Sequence, residues 1–188
     1  MHIFLTGPRD VGKTTIINRA LTQLTEQQKE NPLVVKGFRT FFGEDFAPGK
    51  NYALMAHAHP ELADLEATVI AMRDRSGWSM DVYQEAFENE GVNILEYSMD
   101  ADLILMDELG FMESTAFAFQ KKVMSILDGD IPVIGVLKAD TEFFSNSPFL
   151  NGIREHDKVD EIEVTHGNRD SLINEIVRRY NGIYMDRE

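Results

Sequence analysis

Residues 6–15 read TGPRDVGKTT, and from Gly7 to Thr14 the run fits Gly-x-x-x-x-Gly-Lys-Ser/Thr. Those residue types at that spacing make a cradle for phosphate. Two glycines let the backbone turn tightly, its N–H groups converge at the start of a helix, and the helix dipole favours an anion there. Lys13 brings a compact positive charge to β- and γ-phosphates, and the Thr14 hydroxyl is a ligand for Mg²⁺. The candidate anion-binding run is Gly7, Pro8, Arg9, Asp10, Val11, Gly12, Lys13, Thr14 and Thr15. Asp10 is its odd member, a carboxylate in the middle of a phosphate site. Its position calls for a backbone at positive φ, which Asp and Asn tolerate best among non-glycine residues. The expectation is a left-handed Asp10 turned outward, with Arg9 beside it offsetting the charge.

A phosphate loop needs a second element to hold the metal, and LILMDELG supplies it. Leu103 to Met106 read as a buried strand that ends in Asp107 and Glu108, and such a strand end lies on the ligand-binding edge of a parallel sheet. Asp107 is the metal candidate, and Glu108 the candidate general base that orients the attacking water. Taken alone, the pair also reads as two solvated acids at a strand end. Glu113, five residues on, has two readings: a third catalytic acid that reaches the γ-phosphate, or a helix-capping residue. Ser114 is the candidate N-cap of the helix that follows.

Other residues carry weaker signals. VLKAD resembles the Asn/Thr-Lys-x-Asp guanine reader, with Lys138 and Asp140 in place but Leu137 where a polar residue belongs; the plainer reading is a strand-end Lys and a turn-capping Asp. His57 and His59 stand on one face of a strand, a spacing open to a metal pair, with no third ligand fixed nearby. Trp78 reads as a packing residue ahead of a base-stacking one. Arg73 and Arg75 are either in-chain arginine fingers or surface residues. Phe117, Phe119 and Met124 read as helix-core positions.

Positioning these groups takes a definite set of elements. HIFLT is a short buried strand, and KTTIINRALTQLTEQQ a helix with an apolar face of Ile16, Ile17, Ala20, Leu21 and Leu24. PLVVKGFRTFF and NYALMAHA read as a hairpin around the turn GEDFAPGK, and EATVIAM as a further strand. SMDVYQEAFENEGVNILEYSM reads as a helix interrupted at Gly91. DLILMDELG, IPVIGVLK and VDEIEVT are strands, STAFAFQKKVMSILDG is a helix closed by Gly129, and RDSLINEIVRRY is the last helix. The fold class is therefore α/β: a mostly parallel sheet flanked by helices, with an inserted β-hairpin at about 33–75. The expectation is one domain over 1–188.

Composition agrees with a globular chain. Of 188 residues, 43% are hydrophobic and 27% charged, with no cysteine, so disulfides and thiolate metal sites are excluded. The net charge of −14 repels phosphate backbones and argues against general nucleic-acid binding. No run is long and apolar enough for a membrane span and no secretory leader is visible, so the expected compartment is the cytoplasm.

Taken together, IFLTGPRDVGKTTII, KGFRT, ADLILMDELGFMES and VTHGNRDSL resemble, in order and spacing, the thermophilic and cancer-related nucleoside-triphosphatases, whose fold is that of the phosphate-loop NTPases of the RecA-like kind. The discriminating parts are residues 107–113 and 168–170. The resemblance implies Mg²⁺-dependent hydrolysis of a nucleoside triphosphate to diphosphate and phosphate, with broad base tolerance. It assigns Asp107 to the metal and Glu108 to the base, adds weight to Glu113, and makes Asn168 and Arg169 base-side or capping residues. The chain departs from the family's Gly-x-Pro-Gly-Val-Gly-Lys-Thr loop: Arg9 stands where Pro is usual, Asp10 where Gly is, and the turn after KGFRT is acidic. A regulatory nucleotide switch is the alternative, a small-molecule kinase a more distant one.

Overall fold

The apolar runs of the sequence become the middle of a sheet. The computed structural model describes residues 1–28, 32–43, 50–58, 67–74, 80–139 and 147–185. Its strands are β1 (His2–Thr6), β2 (Val35–Gly43), β3 (Lys50–His57), β4 (Thr68–Asp74), β5 (Met80–Val82), β6 (Leu103–Leu109), β7 (Val133–Leu137) and β8 (Val159–Glu163). All eight form one sheet in the order β5-β4-β3-β2-β6-β7-β1-β8. From β2 to β8 the pairings are parallel. From β2 out to β5 they are antiparallel.

Strand alternation sends side chains to two cores, one on each face. Ile3, Leu5, Leu103, Leu105, Ile134 and Val136 face α1 (Lys13–Gln27) and α6 (Arg169–Met185), where they meet Ile17, Leu24, Ile176 and Tyr180. Phe4, Phe38, Ile104 and Met106 face the other way. There they pack with Phe87, with Leu95 of α3 (Val92–Tyr97), with Phe119 and Val123 of α4 (Phe117–Asp128), and with Ile153 of α5 (Pro148–Arg154). The apolar face read for α1 is the buried set of that helix.

The expected hairpin is only part of what the 33–82 region builds. Its first strand, β2, belongs to the parallel core beside β6, and three antiparallel strands then widen the sheet. The expected helix from Ser79 is also shorter: Met80–Val82 pairs with β4 as β5, because its alternating side chains cover the sheet edge. A short α2 (Gln84–Ala86) follows, and Phe87–Gly91 is a π-helical turn that runs into α3 without a break at Gly91. The acidic turn after Gly43 lies outside the described residues.

Two further expectations change. Phe117 is 71% exposed at the start of α4, while Phe119 is buried and Met124 partly so. Ser114 does not cap that helix, whose N-cap position is Ala116. The carboxylate of Glu88, on the π-helical turn, accepts the Ala118 N–H at 3.0 Å instead. A negative group from another element thus satisfies an orphan donor at the positive end of α4.

The tightest approach in the sheet is at Gly37. It sits at φ 117°, and a Cβ there would lie 2.0 Å from the Leu105 carbonyl oxygen. Backbone cannot yield as a side-chain tip can, and the left-handed conformation adds its own strain for an L-residue. Gly37→Ala is expected to cost about 3 kcal/mol of folding stability, an overpacked backbone contact and a strained residue together. Urea unfolding measures it, and a midpoint equal to the parent's contradicts the reading.

Candidate active site: a phosphate loop facing a strand-end acid pair

The loop between β1 and α1 has the backbone that its residues foretold. Gly7 is at φ 127°, and a Cβ on it would come 2.6 Å from the Val164 carbonyl oxygen, so the loop lies directly on the chain leaving β8. Asp10 is at φ 62°, the left-handed conformation expected of it. Its side chain is 92% exposed and stands 3.9 Å from Arg9, itself 83% exposed. Val11 points inward instead, buried among the residues facing α1, and anchors the loop. Gly12 precedes α1 at φ 106°, and its carbonyl accepts the Ile16 N–H at 2.9 Å, the helix's first bond.

Lys13 is folded back on the loop. Its Nζ donates to the carbonyl oxygens of Gly7 at 2.9 Å and Pro8 at 2.8 Å. Partial burial lowers the pKa of its ammonium, and the carboxylates of Glu108, Asp107 and Asp10 oppose that shift.

Across the cleft, β6 ends on the two acids. Thr14 Oγ1 donates to Asp107 Oδ1 at 3.3 Å, which joins the start of α1 to the end of β6. Asp107 is only 6% exposed, and burial raises its pKa, against the hydrogen bond from Thr14 and the charge of Arg39. Arg39 is its register partner on β2. One hydroxyl and one carboxylate, both hard oxygens, with phosphate oxygens and water to complete the shell, are a donor set that suits Mg²⁺. A bound cation would oppose the upward shift that burial gives this carboxyl. No cluster of three or more His, Asp or Glu suited to a metal occurs among the described residues.

Glu108 is held at both ends. Its backbone N–H donates to Thr40 Oγ1 at 3.1 Å, and its carboxylate lies 3.5 Å from Lys138 Nζ. That ammonium also sits over the Phe111 ring, 4.8 Å from the centroid. A cavity of about 960 Å³ opens over these groups. It is lined by the loop from Gly7 to Thr15 except the inward Val11, by Thr40, Asp107 and Glu108, and by Lys138.

A sequence model of the family described as NTPase matches residues 2–177. The chain belongs to this NTPase family. It is 28% identical over 183 residues to Nucleoside-triphosphatase THEP1 of Methanosarcina barkeri, a match covering 96% of this chain and 97% of that one. It is 30% identical over 187 residues to the protein of the same name from Thermotoga petrophila, covering 94% and 91%. In fold it is similar to the crystal structure of THEP1 from Aquifex aeolicus, with a TM-score of 0.70, 23% identity, and 96% and 99% of the two chains covered. It is equally similar to the solution structure of a human cancer-related nucleoside triphosphatase, with a TM-score of 0.69 and 23% identity over 94% and 95%.

Sequence reasoning about this NTPase brought Lys13, Thr14, Asp107 and Glu108 to one cleft, and the structure does the same. Lys138 is on the cleft too, but paired to Glu108 rather than free to read a base; Asp140 lies outside the described residues, as do His59, Arg75 and Trp78. Arg73 lines the cavity. His57 stacks edge-on against Tyr97, a packing role. Asn168 ties the turn before α6. Its Oδ1 accepts the Thr165 N–H at 2.8 Å, its Nδ2 donates to the Glu163 carbonyl, and its own carbonyl accepts the Leu172 N–H. Its side chain therefore braces the turn between β8 and α6 and, among the described residues, bonds no N–H of the helix, and Arg169 beside it is exposed. Reasoning from sequence missed Thr40 and the Glu108–Lys138 pairing. KGFRT was visible as a motif, but only the pairing of β2 with β6 gives Thr40 its task.

Glu113 is the chief correction. It does not reach the cavity but is wholly buried beneath the turn 107–113. Its Oε2 accepts the Gly110 N–H at 2.9 Å, and its backbone carbonyl accepts Gln120 Nε2 at 2.6 Å, so it pins the turn to α4. Its Oε1 has no hydrogen-bond partner among the described residues. Burial, first among the causes, pushes its pKa from 4.5 up to about 7. Because the folded value is the higher one, the native state holds a proton that the unfolded chain has lost between those two values. Stability from this group is therefore full below pH 4.5, falls as pH rises to about 7, and stays low above it. The shift corresponds to about 3 kcal/mol. Glu113→Gln keeps the acceptor for Gly110 and removes the titration. Its stability relative to the parent is expected to rise across that window and level off above it, as followed by urea unfolding at several pH values; a constant difference contradicts the assignment.

Proposed function

We propose that this NTPase hydrolyses the β–γ bond of a nucleoside triphosphate to the diphosphate and phosphate, and that it requires Mg²⁺. The observation that carries the reading is the Thr14–Asp107 hydrogen bond, which sets a metal-binding pair between the phosphate loop and Glu108. The loop from Gly7 to Thr15 takes the phosphates on its N–H groups. Lys13 leaves the carbonyls of Gly7 and Pro8 for the β- and γ-oxygens. Thr14 and Asp107 would hold Mg²⁺, which when bound supplies charge to the phosphate oxygens. Glu108 accepts a proton from the attacking water as its oxygen bonds to the γ-phosphorus, and the bond to the bridging oxygen breaks with the electrons leaving on the diphosphate. Thr40 and Lys138 hold Glu108 at its backbone and its carboxylate. Glu113 acts from below by fixing the turn and takes no proton from the reaction.

The engagement of Lys138 with Glu108 favours a hydrolase over a guanine-reading switch. We also place the protein in the cytoplasm as one domain. Among the described residues no helix is long and apolar enough to cross a membrane.

Phosphate release from ATP, GTP, CTP and UTP, with Mg²⁺ and with chelator, tests the proposal. Release is expected only with metal. Glu108→Gln is expected to lower kcat by about 10²–10⁴, the usual worth of a general base. Lys13→Ala is expected to lose charge neutralisation at the γ-phosphate and with it most of the rate. Rates unchanged in both variants would sink the proposal.

A further inference from the structure

The cavity extends well past the groups that hydrolysis needs. Asp107 and Glu108 mark the terminal-phosphate end of the cleft. In the strand order β6-β7-β1-β8, a triphosphate that ends there and lies along the loop carries its nucleoside over the start of α1 toward β8. None of residues 165–169, at that nucleoside end, lines the cavity. Its lining continues the opposite way instead, to Phe41, Phe42, Ala53, Arg73, Met80 and Met112. These come from β2, β3, β4, β5 and the turn after β6. Beyond the γ-phosphate a hydrolase requires room for one water.

The character of that outer half is specific. Phe42 is 55% exposed, although Phe38, four residues earlier on the same face of β2, is fully buried. Exposed aromatic surface of this kind, concave and next to a reaction centre, marks a ligand site. Arg73 stands on the same wall, directly opposite Met80 across the β4–β5 pairing. The whole cavity, about 960 Å³, is at the upper end of the roughly 300–1,000 Å³ used for complete small-molecule ligands.

We propose that the outer half of the cleft is a binding subsite for a second small molecule, a planar aromatic anion. Its ring lies on Phe42 against Met80 and Met112, its negative group faces Arg73, and it is seated beside the γ-phosphate at the same time as the nucleotide. Aromatic rings and thioethers give a planar group favourable contact, and a guanidinium supplies the forked donor for carboxylate or sulfonate. The proposal rests on the nucleotide orientation of the hydrolase reading, but its test is separate.

Anilinonaphthalene sulfonate is the probe, an aromatic anion that the chain's net charge of −14 discourages from adhering elsewhere. Its fluorescence is titrated into the full chain with Mg²⁺ and saturating ADP. Saturable binding in the presence of ADP is expected. Phe42→Ser and Arg73→Gln should each weaken it about tenfold, equivalent to about 1.4 kcal/mol. Phe42 is exposed on the strand, so Phe42→Ser should leave the fold and ADP affinity intact, and an unchanged ADP affinity serves as the control. At saturating ATP the probe should slow phosphate release without raising KM, since it displaces the attacking water and not the nucleotide. Displacement of the probe by ADP, or equal binding by the parent and both variants, would overturn the subsite. Binding as expected in a protein that releases no phosphate would leave the subsite standing and defeat the hydrolase reading.

Discussion

The 3.3 Å contact between Thr14 and Asp107 is the constraint on which the cleft depends. It joins residues 93 positions apart and sets the first turn of α1 against the last residues of β6. The sheet makes it possible. β7 lies between β1 and β6, so the loop after β1 must bridge the width of one strand to meet the acid pair. The cost of keeping Asp107 largely out of water is offset from two directions, by the Thr14 hydroxyl and by Arg39 across the β2–β6 pairing. Loosening any of these contacts would move Asp107 relative to the phosphate loop, and positioning is most of what a phosphoryl-transfer site provides.

Charge is distributed with the same purpose. The chain carries −14 overall, yet Arg9, Lys13, Arg73 and Lys138 line one cavity together with Asp10, Asp107 and Glu108, so the cleft does not share the acidity of the whole. An acidic exterior around such a cleft repels polyanions too large to enter. Lys138 has its part here by pairing with Glu108, which offsets the repulsion that acid would offer a phosphate tail.

Features that are local in sequence were legible. The phosphate loop is eight consecutive residues whose geometry is set by Gly7, Gly12 and a left-handed Asp10, and the tolerance of Asp for positive φ is a property of the residue alone. The acid pair follows from an apolar run that ends in Asp107 and Glu108. Features made by distant pairing were not legible. β2 read as one arm of a hairpin, because nothing in PLVVKGFRTFF says that its other edge meets β6. Thr40 and Arg39 acquire their partners only through that pairing. Glu113 shows the converse. Its spacing from Glu108 gave the right neighbourhood, but spacing does not reveal depth, and full burial turns an apparent catalytic acid into the pin of the turn.

The bonds from Lys13 to the carbonyls of Gly7 and Pro8 mean that the loop is its own competitor. An incoming ligand must replace two internal hydrogen bonds to an ammonium before it gains anything from that residue. The two carbonyls also fix where the ammonium stands, folded over its own loop and not extended into the cleft. The same two contacts tie the loop's first turn to the start of α1, so the lysine is a brace of the loop as well as a charge upon it.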